Sequence, residues 1–130
     1  MTDPVELLKQ FLDNFAEGEW GNFPGEISPD FVLYLPFVPA GIPTEIKGRE
    51  KVRQTLQETA KSRSKLTFFD KVILRTEDPE LFVTRAKGEA QMANGNLYRN
   101  SYVMFTRIRD GMVLEHTEYL NPLALIEAAQ

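Results

Sequence analysis

Cysteine is absent from this chain, and histidine occurs only once. The first absence excludes disulfide bonds, thiolate nucleophiles and zinc–thiolate centres, and the second excludes a metal site built from several histidines. The acidic residues form no cluster suited to magnesium or calcium. Glycine-rich nucleotide loops and the histidine–glutamate motif of zinc peptidases are missing as well. We therefore expect neither a metal nor an organic cofactor.

Long apolar runs and basic stripes are missing too. No stretch approaches the roughly 18 apolar residues of a membrane span, and the first residues lack the basic start of a secretory signal. The net charge is −4, and the 15 lysines and arginines are scattered, whereas nucleic-acid binding needs them clustered. We expect no membrane or nucleic-acid partner and a cytoplasmic location.

The chain does contain enough apolar surface for a packed core. Hydrophobic residues make up 42% and charged residues 26% of the 130 positions, a balance typical of a folded protein. This length suits one domain, and no linker, repeat or low-complexity run divides it. We predict a single domain over residues 1–130.

Helical spacing marks two long segments. Asp3 can cap a helix in which apolar residues recur every three or four positions until Gly18. Residues 48–61 carry a second amphipathic pattern, and residues 122–129 predict a short closing helix. Residues 19–29 predict a loop with a helical turn near Trp20.

The remaining segments predict strands: residues 31–35, 66–76, 81–92, 97–109 and 112–120. Residues 36–43 contain three prolines and a glycine, so we expect them to form a pocket mouth and not a strand. Because the strands do not alternate with helices, the α+β class fits better than a parallel α/β sheet. Two helices against one face of a curved sheet would leave a concavity for a ligand.

The single histidine lies in an unusual strand, because His116 and Glu118 are two residues apart and share one face. A histidine and a carboxylate side by side can exchange protons, which makes both of them candidate catalytic residues. The alternative is a polar face turned to solvent, with Glu115 and Thr117 pointing inward instead.

A second candidate face carries Tyr98, Asn100 and Tyr102. Such a row can stack on a flat ligand and donate hydrogen bonds to its rim, although it also suits an ordinary sheet surface. We add Tyr34 and Trp20 as candidate ligand contacts, while Trp20 fits a core position equally well.

The turn at residues 110–111 bears on whether these two faces coincide. A clean two-residue turn would pair Met104 with Thr117 and turn Glu118 away from Tyr98. A shared pocket therefore requires a bulge or a longer loop, which shifts the pairing by one residue.

Several short segments, taken in order, resemble the NTF2-like superfamily, which includes ketosteroid isomerases and SnoaL-like polyketide cyclases. The similarity runs through Ser28-Pro29-Asp30-Phe31, Leu35-Pro36-Phe37, Ile46-Lys47-Gly48-Arg49-Glu50, Asp78-Pro79, Phe82, Gly88-Glu89, Tyr98-Arg99-Asn100 and Glu118-Tyr119-Leu120-Asn121-Pro122. The later segments look most like the phenazine-biosynthesis A/B type.

This resemblance implies a cone, in which a strongly bent antiparallel sheet wraps around helices and one internal pocket, and it implies a homodimer joined through the sheet. It gives Glu118 the acid/base role and places Tyr98 in the pocket. Thr55 stands where the phenazine type has a histidine, and Leu35 stands where the isomerases have their aspartate base. We therefore expect neither the condensation reaction of the phenazine type nor the classical reaction of the ketosteroid isomerases.

Our leading hypothesis is a cofactor-free acid/base enzyme of the isomerase or cyclase kind, acting on a small, largely apolar cyclic or carbonyl metabolite. Glu118 would be the acid/base and His116 its assistant. The alternatives are a protein that binds a metabolite without chemistry and a dimerising interaction module. We also predict a homodimer, because two helices cannot cover a sheet face bearing Val83, Leu97, Val103 and Phe105.

Overall fold

Three α-helices and six strands make up the computed structural model, which describes residues 3–130, apart from the side chain of Asn22. The elements in chain order are α1 (Pro4–Asn14), two single-turn 3₁₀ helices (Phe15–Glu17 and Trp20–Asn22), β1 (Glu26–Tyr34), β2 (Glu45–Lys47), α2 (Arg49–Ala60), β3 (Thr67–Arg75), β4 (Leu81–Gln91), β5 (Leu97–Arg109), β6 (Met112–Tyr119) and α3 (Pro122–Ala128). The predicted α+β class is confirmed.

The helix signals in the sequence act as expected. The Asp3 carboxylate accepts a hydrogen bond of 2.8 Å from the backbone N–H of Val5, which caps α1. Gly18 follows the first 3₁₀ helix with φ +68°, a left-handed conformation that glycine adopts easily. The apolar stripe of α1 is buried, as periodicity predicts.

The six strands form one sheet in the order β2-β1-β6-β5-β4-β3. The pairs β1–β2, β3–β4, β4–β5 and β5–β6 are antiparallel, in agreement with the prediction. The pair β1–β6 is parallel, so the sheet is mixed and not purely antiparallel. A parallel neighbour is possible because a long crossover through α2 and four strands separates β1 from β6.

Two strand boundaries differ from the prediction. β1 begins at Glu26, because Glu26 and Ile27 pair with the start of β6 before the register shifts. Pro29 lies within that shift, where the regular ladder is interrupted, so its missing N–H is tolerated. The short edge strand β2 lay in a stretch that we had not assigned to any element.

The core lies between α1 and the inner face of the sheet. Its largest fully buried side chains include Phe11, Phe15, Phe31, Phe82 and Met104. Burying an aromatic side chain of this size contributes about 2–3 kcal/mol relative to leaving it exposed, which makes this cluster the main source of stability. The core occupies one end of the concave face and leaves the other end open.

Within the described part of the chain, no helix is long and apolar enough to cross a membrane.

Candidate functional site

A cavity of about 370 Å³ lies at the open end of the concave sheet face. Helices α2 and α3 and the segment 36–43 enclose it. Its walls are mainly apolar and include Leu33, Leu35, Leu56, Leu66, Met92 and Leu125. The polar side chains that reach it include Thr55, Arg63, Tyr98, Tyr102 and Glu118. This size and this mixture are typical of small-molecule sites.

The proline-rich segment 36–43 forms one rim of the cavity. No strand runs through these residues, and Val38, Gly41, Ile42 and Pro43 line the cavity. The segment thus borders the cavity and forms no strand. Ile42 remains 42% exposed, so the rim presents apolar surface to an incoming ligand as well as to the interior.

A bulge in β6 turns Glu118 into the cavity. Ile108 pairs with Val113 as a tight turn requires, but Arg107 pairs with Glu115, so Leu114 is an extra residue in β6. Beyond the bulge, Met104 pairs with Glu118. Glu118 thus lies on the same sheet face as Tyr98 and Tyr102, as the shared-pocket hypothesis required.

Glu118 is the acidic side chain among the cavity-lining residues that the structure describes, and it is almost completely buried. Its Oε1 lies 3.3 Å from Nε2 of His116. His116 has no exposed surface and lies behind Glu118, and its Nδ1 is 2.8 Å from Oγ1 of Thr106. The histidine therefore contacts the carboxylate but does not line the cavity itself.

A pair of hydroxyl groups belonging to Tyr98 and Tyr102 faces the same cavity. The two Oη atoms are 2.5 Å apart, and Nδ2 of Asn100 donates to Tyr98 Oη at 2.8 Å. The mutual hydrogen bond uses one of the two hydroxyl hydrogens. One O–H is left to donate to a ligand, whichever tyrosine provides it.

Burial keeps these hydroxyls in their protonated form. Loss of solvation raises the pKa of Tyr98 and of Tyr102, and the negative charge of Glu118 raises both pKa values further. The pair therefore acts as a neutral hydrogen-bond donor and not as a base.

Gly88 makes room for the ring of Tyr102. A Cβ at this position on β4 would lie 2.7 Å from Cε2 of Tyr102, which is closer than real Cβ contacts. Phe68 meets the same ring edge-on, with 5.2 Å between the centroids. The tyrosine is thus held from two sides by residues that do not line the cavity.

Asn100 holds this arrangement together from outside the cavity. Its Oδ1 accepts from the backbone N–H groups of Ser101 and Asn121, and its Nδ2 donates to Tyr98 Oη and to the Asn121 carbonyl. Every hydrogen-bonding position of the amide is used, so Asn100 positions Tyr98 and the start of α3. It does not line the cavity, although the sequence predicted that it would contact the ligand.

Two predicted ligand contacts lie elsewhere. The Trp20 ring is parallel to that of Phe15, with 6.4 Å between the centroids, and its Nε1 donates to the Phe15 carbonyl at 3.3 Å. Tyr34 follows Leu33 in β1 and so points to the opposite face of the sheet, because side chains alternate along a strand. Neither residue lines the cavity, and the core position for Trp20 is the one that the structure adopts.

Sequence reasoning missed Arg63, which lines the cavity next to Glu17. Their side chains form an ion pair of 2.7 Å and are 8% and 12% exposed. Arg63 also donates to the carbonyls of Ala16 and Ser64, and Glu17 accepts from the N–H of Leu66. Arg63 lies in a polar, basic stretch that resembles a solvated loop, and nothing local links it to an acid 46 positions earlier.

Among the described residues, no group of three or more histidine, aspartate or glutamate side chains is arranged to hold a metal ion. Among the cavity-lining residues that the structure describes, Glu118 supplies the one carboxylate.

The family model of the SnoaL-like domain matches residues 8–116. The chain belongs to the SnoaL-like family. The match ends two residues before Glu118, so it covers most of the cavity walls and both tyrosines but neither the carboxylate nor Leu125. A relative in Pseudomonas aeruginosa, described as a PhzA/B-like protein, is 28% identical over 125 residues, which cover 95% of this chain and 87% of the relative.

Solved structures show the same fold. A protein of Bacillus subtilis described as a proposed isomerase superimposes with a TM-score of 0.81 at 23% identity, covering 96% of this chain and 91% of its own. IdmH, a proposed polyketide cyclase from Streptomyces antibioticus, superimposes with a TM-score of 0.76 at 21% identity. That match covers 98% of this chain and 99% of IdmH. An NTF2-like protein from Burkholderia xenovorans superimposes with a TM-score of 0.76 at 16% identity, and the match covers 97% of this chain and 95% of that protein. The expected NTF2-like fold is confirmed.

Alkaline pH should weaken the fold through the tyrosine pair. Above about pH 10 the unfolded tyrosines lose their protons while the buried ones keep them, so the folded state binds more protons and the free energy of unfolding falls as pH rises. Two such groups give a slope of at most about 2.7 kcal/mol per pH unit. Urea titrations from about pH 9 to about pH 11 would measure it.

The variant Tyr98→Phe/Tyr102→Phe is the control for this measurement, because it removes both hydroxyls and leaves the rings. Its free energy of unfolding should fall less steeply over the same pH range. Equal slopes in the two proteins would contradict the prediction.

Proposed function

We propose that the protein is a cofactor-free acid/base enzyme of the isomerase or cyclase kind, acting on a small, largely apolar carbonyl compound. One observation carries the proposal: a buried carboxylate, Glu118, and a hydroxyl pair with a free O–H, Tyr98 and Tyr102, face the same apolar cavity. Removing a proton from the carbon next to a carbonyl requires a base for that proton and a hydrogen-bond donor to the carbonyl oxygen, both in contact with the same ligand.

In this reaction the Glu118 carboxylate takes a proton from the carbon next to the carbonyl. The electron pair of the C–H bond forms a double bond to the carbonyl carbon, and the π electrons of the carbonyl move onto its oxygen, which gives an enolate. The free tyrosine O–H donates a hydrogen bond to the enolate oxygen, where the negative charge develops. Glu118 then returns the proton to another carbon. Alternatively, the enolate carbon attacks a second carbonyl and closes a ring, and the alkoxide formed there takes the proton from Glu118.

The charges around the cavity favour an uncharged ligand. The positive charge of Arg63 is balanced by Glu17 at 2.7 Å, so Glu118 is left as the unpaired charge facing the ligand. An anionic ligand would meet this carboxylate in a poorly solvated space, where repulsion is strong. The apolar walls suit a hydrocarbon ring system.

The proposal can be tested without knowing the natural substrate. 2-Tetralone, a small bicyclic ketone, carries exchangeable hydrogens next to its carbonyl. In D₂O, proton NMR should show that the protein accelerates their replacement by deuterium above the buffer rate. Tyr102→Phe should reduce the acceleration by about tenfold or more, because a donor to the developing charge is lost.

Tyr34→Phe is the matched control, because Tyr34 lies on the other face of the sheet. It should leave the exchange rate unchanged. Binding of the ketone without accelerated exchange would favour the second hypothesis, a protein that binds a metabolite without chemistry. Absence of both would reject the proposed ligand class.

We also propose a homodimer formed through the outer face of the sheet. Leu74, Leu97 and Val103 are each at least 40% exposed there. Beside them lies an open depression of about 650 Å³, lined in part by Phe37, Val72 and Tyr119. Exposed large apolar side chains gathered on one sheet face are typical of a surface that lies against a partner. Light scattering at micromolar concentration should give twice the chain mass. The variant Val103→Lys, which places a charge on this face, should lower the measured mass toward that of the monomer. A wild-type monomer would contradict this.

A further inference from the structure

The buried residues behind Glu118 form a row that ends at Thr106. Thr106 on β5 pairs with His116 on β6, and His116 and Glu118 are two residues apart on one face. Both Thr106 and His116 are completely buried. The rings of Phe11 and Phe15 pack on the imidazole, with centroids 5.2 and 4.8 Å away, so its two nitrogens have Thr106 and Glu118 as their polar neighbours.

Counting hydrogens distinguishes the two neutral forms of His116. With the proton on Nε2, the ring donates to the Glu118 carboxylate, and Nδ1 accepts from the Thr106 hydroxyl. Every group in the row is then satisfied. With the proton on Nδ1, the ring donates to Thr106 Oγ1, and Nε2 faces a carboxylate that also has only acceptors.

In that second form the Thr106 hydrogen has no acceptor, since its hydroxyl has no other hydrogen-bond partner among the described residues. Buried polar groups without partners cost about 1–3 kcal/mol each. The first form is therefore strongly preferred while Glu118 is ionised.

We propose that Thr106 is a positioning residue that holds His116 as the Nε2–H tautomer, so that His116 donates to Oε1 of Glu118 and fixes the carboxylate. Oε2 has no hydrogen-bond partner among residues 3–130 and remains free to take the ligand's proton. In this arrangement His116 orients the base and does not itself accept the proton. The assignment rests on the proposed role of Glu118, but the tautomer can be measured independently of any activity.

The experiment uses the single histidine of the chain, which gives one unambiguous set of imidazole signals. A long-range ¹H–¹⁵N correlation spectrum of ¹⁵N-labelled protein at about pH 7 should show a pyrrole-type Nε2 and a pyridine-type Nδ1. Thr106→Val, which replaces the hydroxyl with a methyl group of similar size, should shift the Nδ1 resonance, because Nδ1 loses its hydrogen-bond donor. Thr106→Ser should restore the wild-type pattern.

An Nδ1–H tautomer, a doubly protonated ring, or a Thr106→Val spectrum identical to the wild-type spectrum would each overturn the proposal. In the 2-tetralone assay, Thr106→Val should lower kcat by about tenfold with little change in KM, because the ligand still binds but the base is less well oriented. If the wild-type protein shows the expected tautomer but exchanges no deuterium, the proposed function fails while the assignment of Thr106 and His116 stands.

Discussion

Glu118→Gln is expected to slow deuterium exchange into 2-tetralone by about a hundred- to ten-thousandfold, the usual cost of removing a positioned acid/base. Glutamine keeps the shape of the side chain and an oxygen that can accept from Nε2 of His116. The row of buried hydrogen bonds behind it can therefore persist, and the fold should be retained. What is lost is the negative oxygen that takes the proton.

The measurement combines the exchange rate with the melting temperature of the same variant. A large fall in rate with a nearly unchanged melting temperature would support a catalytic carboxylate. The reverse result, normal exchange with a lowered melting temperature, would mean that Glu118 serves only to pair with His116. Circular dichroism provides the thermal measurement and also shows that the sheet is intact.

Glu17→Ala is expected to lower the free energy of unfolding by about 3–5 kcal/mol, because it leaves the charge of Arg63 buried without its partner. Exposed ion pairs contribute about 0–1 kcal/mol, but these two side chains are only 12% and 8% exposed. Glu17 also accepts from the N–H of Leu66, which would lose its partner in the same variant. Urea denaturation followed by fluorescence would give the difference.

The double variant Glu17→Leu/Arg63→Met is the informative comparison. It removes both charges and fills the space with apolar groups, so it should recover most of the stability that Glu17→Ala loses. A loss below about 1 kcal/mol in Glu17→Ala would contradict the prediction and class the pair with ordinary surface pairs.

The sequence predicts those features of this protein that depend on neighbouring residues. Asp3 starts α1, Gly18 ends the helical stretch, and strict alternation marks β4 and β5, because each signal is contained in one segment. The start of β1 at Glu26 escaped prediction, because it depends on pairing with residues more than 80 positions away. The glycines and prolines of residues 19–29 argued for a loop there.

The candidate site was predictable to a similar extent. The spacing of Tyr98, Tyr102, His116 and Glu118 identified groups that do meet, but the bulge at Leu114 that brings them to one face has no clear local signal. Arg63 and Glu17 come together only in the folded chain. Trp20 and Tyr34 do not line the cavity, because an aromatic residue can equally fill the core or face outward, and the sequence pattern does not distinguish these positions.

The parallel pairing of β1 with β6 has a consequence for how the chain folds. Leu33 of β1 pairs with His116 of β6, so this contact closes a loop of more than 80 residues. Contacts between distant residues slow folding, because the entropy of closing the loop is lost before the contact stabilises anything. On a ribosome, β1 would have to wait for β6 to be synthesised before it could complete its pairing. The carboxylate of Glu118 and the wall that Leu33 provides can therefore come together only after β6 has been synthesised, and a chain that ends before β6 lacks a complete cavity.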